Sequence, residues 1–223
     1  MQLPDLINGL FEGLTIIFVL MDIQSILKDK KVRGLTRTCL VFFATWSTWN
    51  LFYYNNLGQV LSVTAVFTCK LASAIYLFMF FYYIHLEENN KAENKKVLIW
   101  GSVASVIAYG LVGIILILLG SSYAHGHKWP DGVNAFFELS AGAFKAKNCL
   151  ALIKQKEFKG ANFWGIVFFT SWGAWNMFYY YHLGQYLSWF GGFCIFFVNC
   201  WYLWLIFYLV WTPNLVHKPC INR

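Results

Sequence analysis

Charged residues are scarce in this chain of 223 residues, where Asp, Glu, Lys and Arg together make up 12%. Soluble globular domains carry about twice that fraction, so the composition argues against a soluble protein. The sequence has instead 59% hydrophobic residues, 21% aromatic residues and a mean hydropathy of +0.52. Apolar runs such as 100–119 and 191–211 are long enough to cross about 30 Å of hydrocarbon. We therefore expect a polytopic membrane protein whose main partner is the lipid bilayer.

Cysteines at metal-binding or redox spacing are also lacking. The six cysteines include no Cys-x-x-Cys pair, so neither a zinc site nor a disulfide framework is indicated. His125 and His127 lie close together, but no further ligand accompanies them. We expect no metal and no cofactor. No catalytic groups occur at a recognised spacing either, so an enzyme is not expected.

The net charge of +7 would suit a nucleic-acid partner, but the positions of the charges favour a membrane topology. Lysine and arginine gather at 28–37, 91–96 and 154–159, each a short segment between apolar runs. Basic loops of this length usually lie on the cytoplasmic side. We therefore expect no nucleic-acid binding and an integral protein of the inner or plasma membrane, with its N-terminus outside and its C-terminus in the cytoplasm.

One long stretch of the sequence is repeated within the chain. Residues 8–84 recur as 134–210 at a constant spacing of 126 residues (134 − 8), and about a third of the aligned positions are identical. A period of this length indicates duplication of a whole domain rather than a solenoid of short units. Residue n of the first copy thus corresponds to residue n + 126 of the second.

The apolar pattern predicts an all-α membrane protein with seven spanning helices. They are expected at about 6–27, 37–55, 60–85, 97–120, 132–153, 162–181 and 187–211. The fourth helix has no counterpart in either copy, and it gives the two three-helix repeats the same direction across the membrane. The predicted organisation is a first triple-helix bundle (1–86), a cytoplasmic loop and linker helix (87–131), a second, parallel bundle (132–211) and a cytoplasmic tail (212–223).

Aromatic and amide side chains recur on one face of the second and sixth helices, at positions i, i+3, i+4 and i+7. They are Trp46, Trp49, Asn50 and Tyr53 in the first copy and Trp172, Trp175, Asn176 and Tyr179 in the second. An amide facing lipid costs free energy, so each asparagine should point inward and help to form a pocket for one small, flat or sugar-like solute. The alternative is interhelical packing with an aromatic belt at the membrane interface. For the outermost tyrosines the belt is favoured: Tyr53, Tyr54, Tyr179 and Tyr180.

Glu12 and Glu138 occupy equivalent positions about two turns inside the first and fifth helices. A carboxyl at that depth costs free energy unless it is paired or protonated, so each is a candidate functional group. The pair could couple transport to protons, or accept hydrogen bonds in an outer vestibule together with Gln59 and Gln185. A purely structural pairing is the third interpretation.

Lysines at intramembrane positions occur without a counterpart in the other copy, as Lys70 and Lys145. Each should face water, an anionic group of a substrate, or a carboxylate that pairs with it. The candidate carboxylates are Glu12, Glu138 and Asp22. Lys70 and Asn199 are expected to line the inner side of the pocket. The predicted seventh helix has no lysine, which argues against a retinal Schiff base.

The loop after the first helix carries a recognisable pattern. The positions are Gln24, Lys28, Gly34 and Thr36 in the first copy and Lys154, Gly160 and Asn162 in the second. They resemble the PQ-loop signature, and with its 3+1+3 layout the chain resembles the SWEET/PQ-loop superfamily. Each half also resembles one-repeat membrane proteins of bacteria and phages, which read Phe-Phe-x-x-Trp-x-x-Trp-Asn and then Leu-Gly-Gln.

The superfamily includes sugar transporters and, more distantly, vitamin transporters. The resemblance therefore implies alternating access for a sugar, a nucleoside or a vitamin, with Trp49 and Trp175 as pocket tryptophans. The helix prolines of SWEETs are missing here, and Ala65 and Gly191 stand where a pocket asparagine is expected. Sugar as the substrate therefore does not follow. The alternative is a non-transporting multipass protein, such as a receptor, a scaffold or a phage-encoded envelope modifier, and either kind could form a homo-oligomer.

Overall fold

The computed structural model describes residues 3–122 and 129–211, and over these residues the chain is helical apart from short connections. The helices are α1 (Leu3–Asp29), α2 (Arg37–Asn56), α3 (Val60–Glu88), α4 (Lys95–Ser122), α5 (Trp129–Gln155), α6 (Phe163–His182) and α7 (Tyr186–Leu205), followed by a π-helical segment (Ile206–Trp211). The seven predicted helices are confirmed as helices to within a few residues at each end. The predicted tail and the two histidines at 125 and 127 lie outside the described residues.

Four helices are long and apolar enough to cross a membrane, and they are α1, α3, α4 and α7. The other three described helices do not meet this criterion. The middle of α5 carries Lys145 and Lys147, while α2 and α6 are only 20 residues long and include tryptophan, asparagine and tyrosine. The three helices α2, α5 and α6 carry most of the predicted pocket residues.

Within each repeat the third helix contacts both of the others. Thus α3 packs on α1 and α2, and α7 packs on α5 and α6. The two repeats meet at two equivalent helix contacts, in which α2 packs on α5 and α1 packs on α6. The linker helix α4 packs on α2 and α3, and its glycines admit side chains of α3. A Cβ on Gly101 would lie 2.0 Å from the Phe78 ring, so a larger residue here would force that ring to move, and the glycine permits close helix packing.

The loops 30–36 and 156–162 lie against each other at one end of the molecule, which we call the basic end. Arg33 and Lys159 form an isolated antiparallel bridge with backbone N–H···O distances of 3.1 and 3.2 Å. Gly34 and Gly160 have φ of +75° and +83°, and a Cβ on them would lie 2.8 and 2.7 Å from backbone oxygens of the other loop. Both the left-handed backbone and the close approach require glycine here. These are the glycines of the PQ-loop-like pattern.

Side chains strengthen this closure in pairs related by the 126-residue offset. Asp22 Oδ1 accepts from the Asn162 backbone N–H at 2.5 Å, and Asn148 Oδ1 accepts from that of Thr36 at 2.9 Å. The other paired bonds are Gly160 N–H to Asp29, Gly34 N–H to Gln155, Tyr76 OH to the Gly160 carbonyl and Tyr202 OH to the Gly34 carbonyl. Thr36 and Asn162 also cap α2 and α6 at their first turns. The basic end is thus closed symmetrically by both repeats.

The opposite end, which we call the turn end, is closed by tyrosines and glutamines. The Tyr53 hydroxyl donates to Gln185 Oε1, and the Tyr179 hydroxyl donates to Gln59 Oε1, so each bond joins the two repeats. These tyrosines and their neighbours Tyr54 and Tyr180 are at most 1% exposed. The expected interfacial belt is therefore wrong for all four, because belt residues lie on the lipid-facing surface and these lie in the core.

Candidate functional site

A central cavity of about 290 Å³ lies between the repeats. Every helix except α4 contributes to its lining, and so do the loop residues that close the basic end. The cavity is therefore built by the duplicated elements and not by the linker. Its size is near the lower end for pockets that bind small molecules.

Nine of the predicted site residues line this cavity. They are Trp46, Asn50, Trp172, Asn176, Lys70, Asn199, Glu12, Glu138 and Lys145. Asn199 lies at the position equivalent to Ser73, which also lines the cavity. Residues of both copies, more than a hundred positions apart in the chain, thus share one site.

Six predicted site residues lie elsewhere. The turn-end bonds hold Tyr53, Tyr179, Gln59 and Gln185. Trp49 packs against Phe52 at 4.9 Å between ring centroids, and Trp175 packs against Phe178 at 5.3 Å. Consecutive helical residues are about 100° apart around the axis, so a helix that turns Asn50 to the cavity rotates Trp49 away from it.

Several buried polar atoms on the cavity wall have no hydrogen-bond partner in the described protein. The acceptors are Glu12 Oε1, both carboxyl oxygens of Glu138, Asn50 Oδ1 and Asn176 Oδ1, and the donors are Trp172 Nε1 and the Tyr180 hydroxyl. Nearly all buried polar atoms in folded proteins are hydrogen-bonded, so such a group on one cavity is unusual. The unpartnered atoms are mostly acceptors.

The two glutamates are buried in different electrostatic surroundings. Glu12 lies near Tyr54 and within the electrostatic influence of Lys70, without a direct salt bridge. Glu138 lies near Tyr180, and no described cationic side chain acts on it. No hydrogen bond of the described residues joins either glutamate to Gln59 or Gln185, because these accept from tyrosines instead.

The two lysines of the cavity are already engaged by protein groups. The Lys70 ammonium donates to Ser47 Oγ. The Lys145 ammonium lies 4.8 Å from the Tyr202 ring centroid, in a cation–π arrangement, and interacts electrostatically with Asp22. Each of the two lysines therefore already interacts with a protein group.

Tyr54 and Tyr180 are lining residues that the sequence reasoning missed, since it assigned them to the lipid interface. Their identity in both copies, directly after the Tyr53 and Tyr179 positions, was the available signal. The closing role of the loops was also missed, although the repeated glycines at 34 and 160 pointed to a fixed backbone shape there.

Comparison with known proteins gave no match to a family model, to a curated protein or to a solved structure. The resemblance to the SWEET/PQ-loop superfamily therefore rests on the sequence pattern alone.

Proposed function

We propose that this protein is a small-solute transporter or facilitator that crosses the membrane seven times and works by alternating access. In this proposal the two triple-helix bundles move relative to each other around the central cavity, and α4 links them. The observation that carries it is a cavity walled by unpartnered polar atoms from both repeats, in a chain that is otherwise strongly apolar.

The polarity of the cavity is the first support. Polar and ionisable side chains inside a membrane protein are costly, and they usually mark the path of a solute or an ion. A scaffold whose only task is to pack helices would be more stable with apolar residues at these positions. The polar faces of α2, α5 and α6 also explain how these helices cross a membrane despite their lower hydropathy.

The closures at the two ends are the second support. Each end is held by hydrogen bonds that occur twice, once from each repeat. Single hydrogen bonds contribute only about 0.5–1.5 kcal/mol net, so either set can break while the other holds. In the proposed cycle, a state in which both sets of bonds hold would be the occluded intermediate.

The membrane orientation follows from the charges. The basic end carries most of the lysines and arginines of the described loops, so we assign it to the cytoplasm of an inner or plasma membrane. The N-terminus then lies outside and the turn end faces the exterior. The 3+1+3 layout and the repeated loop glycines are the features shared with the SWEET/PQ-loop pattern.

Uptake into proteoliposomes tests the proposal. The panel contains radiolabelled sugars, nucleosides, vitamins, amino acids and amines, each with wild type, Asn176→Ala and Ser171→Ala. Asn176 lines the cavity, whereas Ser171 is exposed on the same helix. We expect saturable uptake of one class, lost in Asn176→Ala and kept in Ser171→Ala. The absence of any uptake by folded protein would overturn the proposal.

The alternative is a non-transporting scaffold or receptor, in which both ends would stay closed at all times. Cysteine labelling separates the two, in a background without native cysteines because Cys39 and Cys69 line the cavity. A carrier that opens should let a membrane-impermeant thiol reagent reach Asn50→Cys and Asn176→Cys. A static scaffold should protect both.

A further inference from the structure

When each acidic side chain that lines the cavity is paired with the lysine that acts on it, one carboxyl group remains without a lysine. Lys70 acts on Glu12, and Lys145 acts on Asp22. Glu138 has no such partner among the described residues. The reason is visible in the duplication, because the position equivalent to Lys70 is Phe196.

The Glu138 side chain has no exposed surface, and both of its carboxyl oxygens lack a hydrogen-bond partner. The Glu138 side chain packs closely against α7. A Cβ added to Gly191 would lie 2.3 Å from the Cβ of Glu138. Glu138 is one of the residues that line the cavity, together with Trp172 and Tyr180. A buried carboxylate is costly unless a cation or a proton neutralises it.

The remaining unpartnered atoms limit what could neutralise Glu138. Asn50 Oδ1 and Asn176 Oδ1 are acceptors, so a ligand that satisfies them must donate hydrogen bonds. The charge of Lys70 is balanced by Glu12 and that of Lys145 by Asp22, so an anionic ligand finds no uncompensated cation there. Aromatic walls next to a carboxylate favour a cationic group.

We propose that the solute is a small organic monocation, a protonated or quaternary amine, whose charged group lies at Glu138 and whose hydrogen-bond donors face Asn50 and Asn176. This inference rests on the proposed function, because it names the solute class for the same cavity. The cavity volume of about 290 Å³ is near the lower end for small-molecule pockets, so the cation should be small.

The test measures ligand binding to the full chain in nanodiscs by calorimetry and thermal shift. The probes are choline, ethanolamine and 3,3-dimethylbutan-1-ol, which has the shape of choline without its charge. Glucose and uridine serve as neutral solutes. We expect one of the amines to bind at least about tenfold more tightly than the alcohol, because the Glu138 carboxylate and the aromatic rings attract a positive charge.

Variants then assign the binding to Glu138. Glu138→Gln should weaken amine binding by about tenfold to a hundredfold. Phe196→Lys should weaken it similarly, since it gives Glu138 the lysine that Glu12 has. The matched control is the double variant Lys30→Met/Glu93→Gln, which removes an ion pair outside the cavity without changing the net charge and should retain amine binding.

The outcomes separate this inference from the proposed function. Amine binding that is unchanged in both Glu138→Gln and Phe196→Lys would overturn the inference. So would binding of the alcohol, glucose or uridine as tight as that of the amines. If such neutral binding is lost in Asn176→Ala, the cavity is still a solute site and the proposed function stands. If no probe binds and the uptake panel is also negative, both proposals fall.

Discussion

The two repeats use the same residues at the ends of the molecule and different residues in its middle. Gly34 and Gly160 close the basic end in the same way, and the Tyr–Gln bonds close the turn end in the same way. In the middle, Lys70 of the first repeat is replaced by Phe196 in the second, and Glu138 has no cationic partner. Symmetric closure requires matched ends, whereas an asymmetric solute requires a wall that differs from side to side.

The comparison also reveals one bond that only one side makes. Trp46 Nε1 donates to Asn134 Oδ1 at 3.2 Å across the repeats. The equivalent atoms, Trp172 Nε1 and Asn8 Oδ1, have no partner among the described residues. Trp172 lies instead nearly parallel to Phe11, with ring centroids 6.5 Å apart. The pseudo-twofold symmetry is therefore broken inside the cavity while it holds at both ends.

The largest expected effect tests whether the basic end is truly symmetric. Gly34→Ala and Gly160→Ala should each destabilise the protein by about 2 kcal/mol or more. A left-handed backbone costs alanine about 1–2 kcal/mol, and the added Cβ would meet the other loop at 2.8 or 2.7 Å. The measurement is the apparent melting temperature of the detergent-purified variants.

Two other glycines provide the matched control for these variants. Gly58 and Gly184 also have φ of +70°, but a Cβ on either would meet nothing within 4 Å. Their alanine variants should show the backbone cost alone, so they should be clearly milder. Equal losses in all four variants would mean that the contact between loops does not matter. Unequal losses at Gly34 and Gly160 would mean that the closure is not symmetric.

The sequence predicted the helices and the duplication well, because both are local patterns of apolar spacing and identity. It also singled out Gly34 and Gly160, but as part of the PQ-loop-like pattern and not for the backbone shape that requires glycine there. It did not predict the contacts between copies. The Tyr53 to Gln185 bond joins residues 132 positions apart, and no periodicity within one helix shows which helix of the other repeat it faces.

The site was predicted in part for a related reason. The i, i+3, i+4, i+7 pattern defines a face about a third of the helix wide, but the cavity uses only one edge of it. Trp46 and Asn50 lie on that edge, and Trp49 lies on the other. The direction in which a face is turned depends on neighbouring helices, which the sequence of one helix does not contain.

A medium effect tests the broken symmetry in the cavity. Trp46→Phe and Trp172→Phe remove the same atoms from equivalent positions, so their packing losses should be similar. Only Trp46→Phe also loses a hydrogen bond and leaves Asn134 Oδ1 without its donor. We expect it to cost about 1 kcal/mol more, as measured by chemical denaturation in the same detergent. Equal losses would mean that the bond contributes nothing, and a larger loss for Trp172→Phe would reverse the comparison.

The smallest effect concerns a contact that the second repeat cannot make, because α4 has no counterpart after α7. At the basic end Lys30 Nζ lies 2.5 Å from Glu93 Oε2 in the loop that leads to α4. The hydrogen bond from Lys30 holds the pKa of Glu93 below its ordinary value. The pair is partly exposed, so Glu93→Gln should cost at most about 1 kcal/mol at pH 7.

The sign of the pH dependence follows from the lowered pKa. The folded state favours the ionised carboxylate, so its stabilising contribution is complete above the ordinary glutamate pKa of about 4.3 and is lost as pH falls through the lower folded value. The stability difference between wild type and Glu93→Gln should therefore vanish in acid, and it should shrink when salt screens the pair. Glu157→Gln is the matched control, because among the described residues Glu157 forms its salt bridge with Lys159 of its own loop and is half exposed. A difference for Glu93→Gln that persists unchanged in acid would assign the effect to something other than this ion pair, and the α4 loop would then not tie down the first repeat electrostatically.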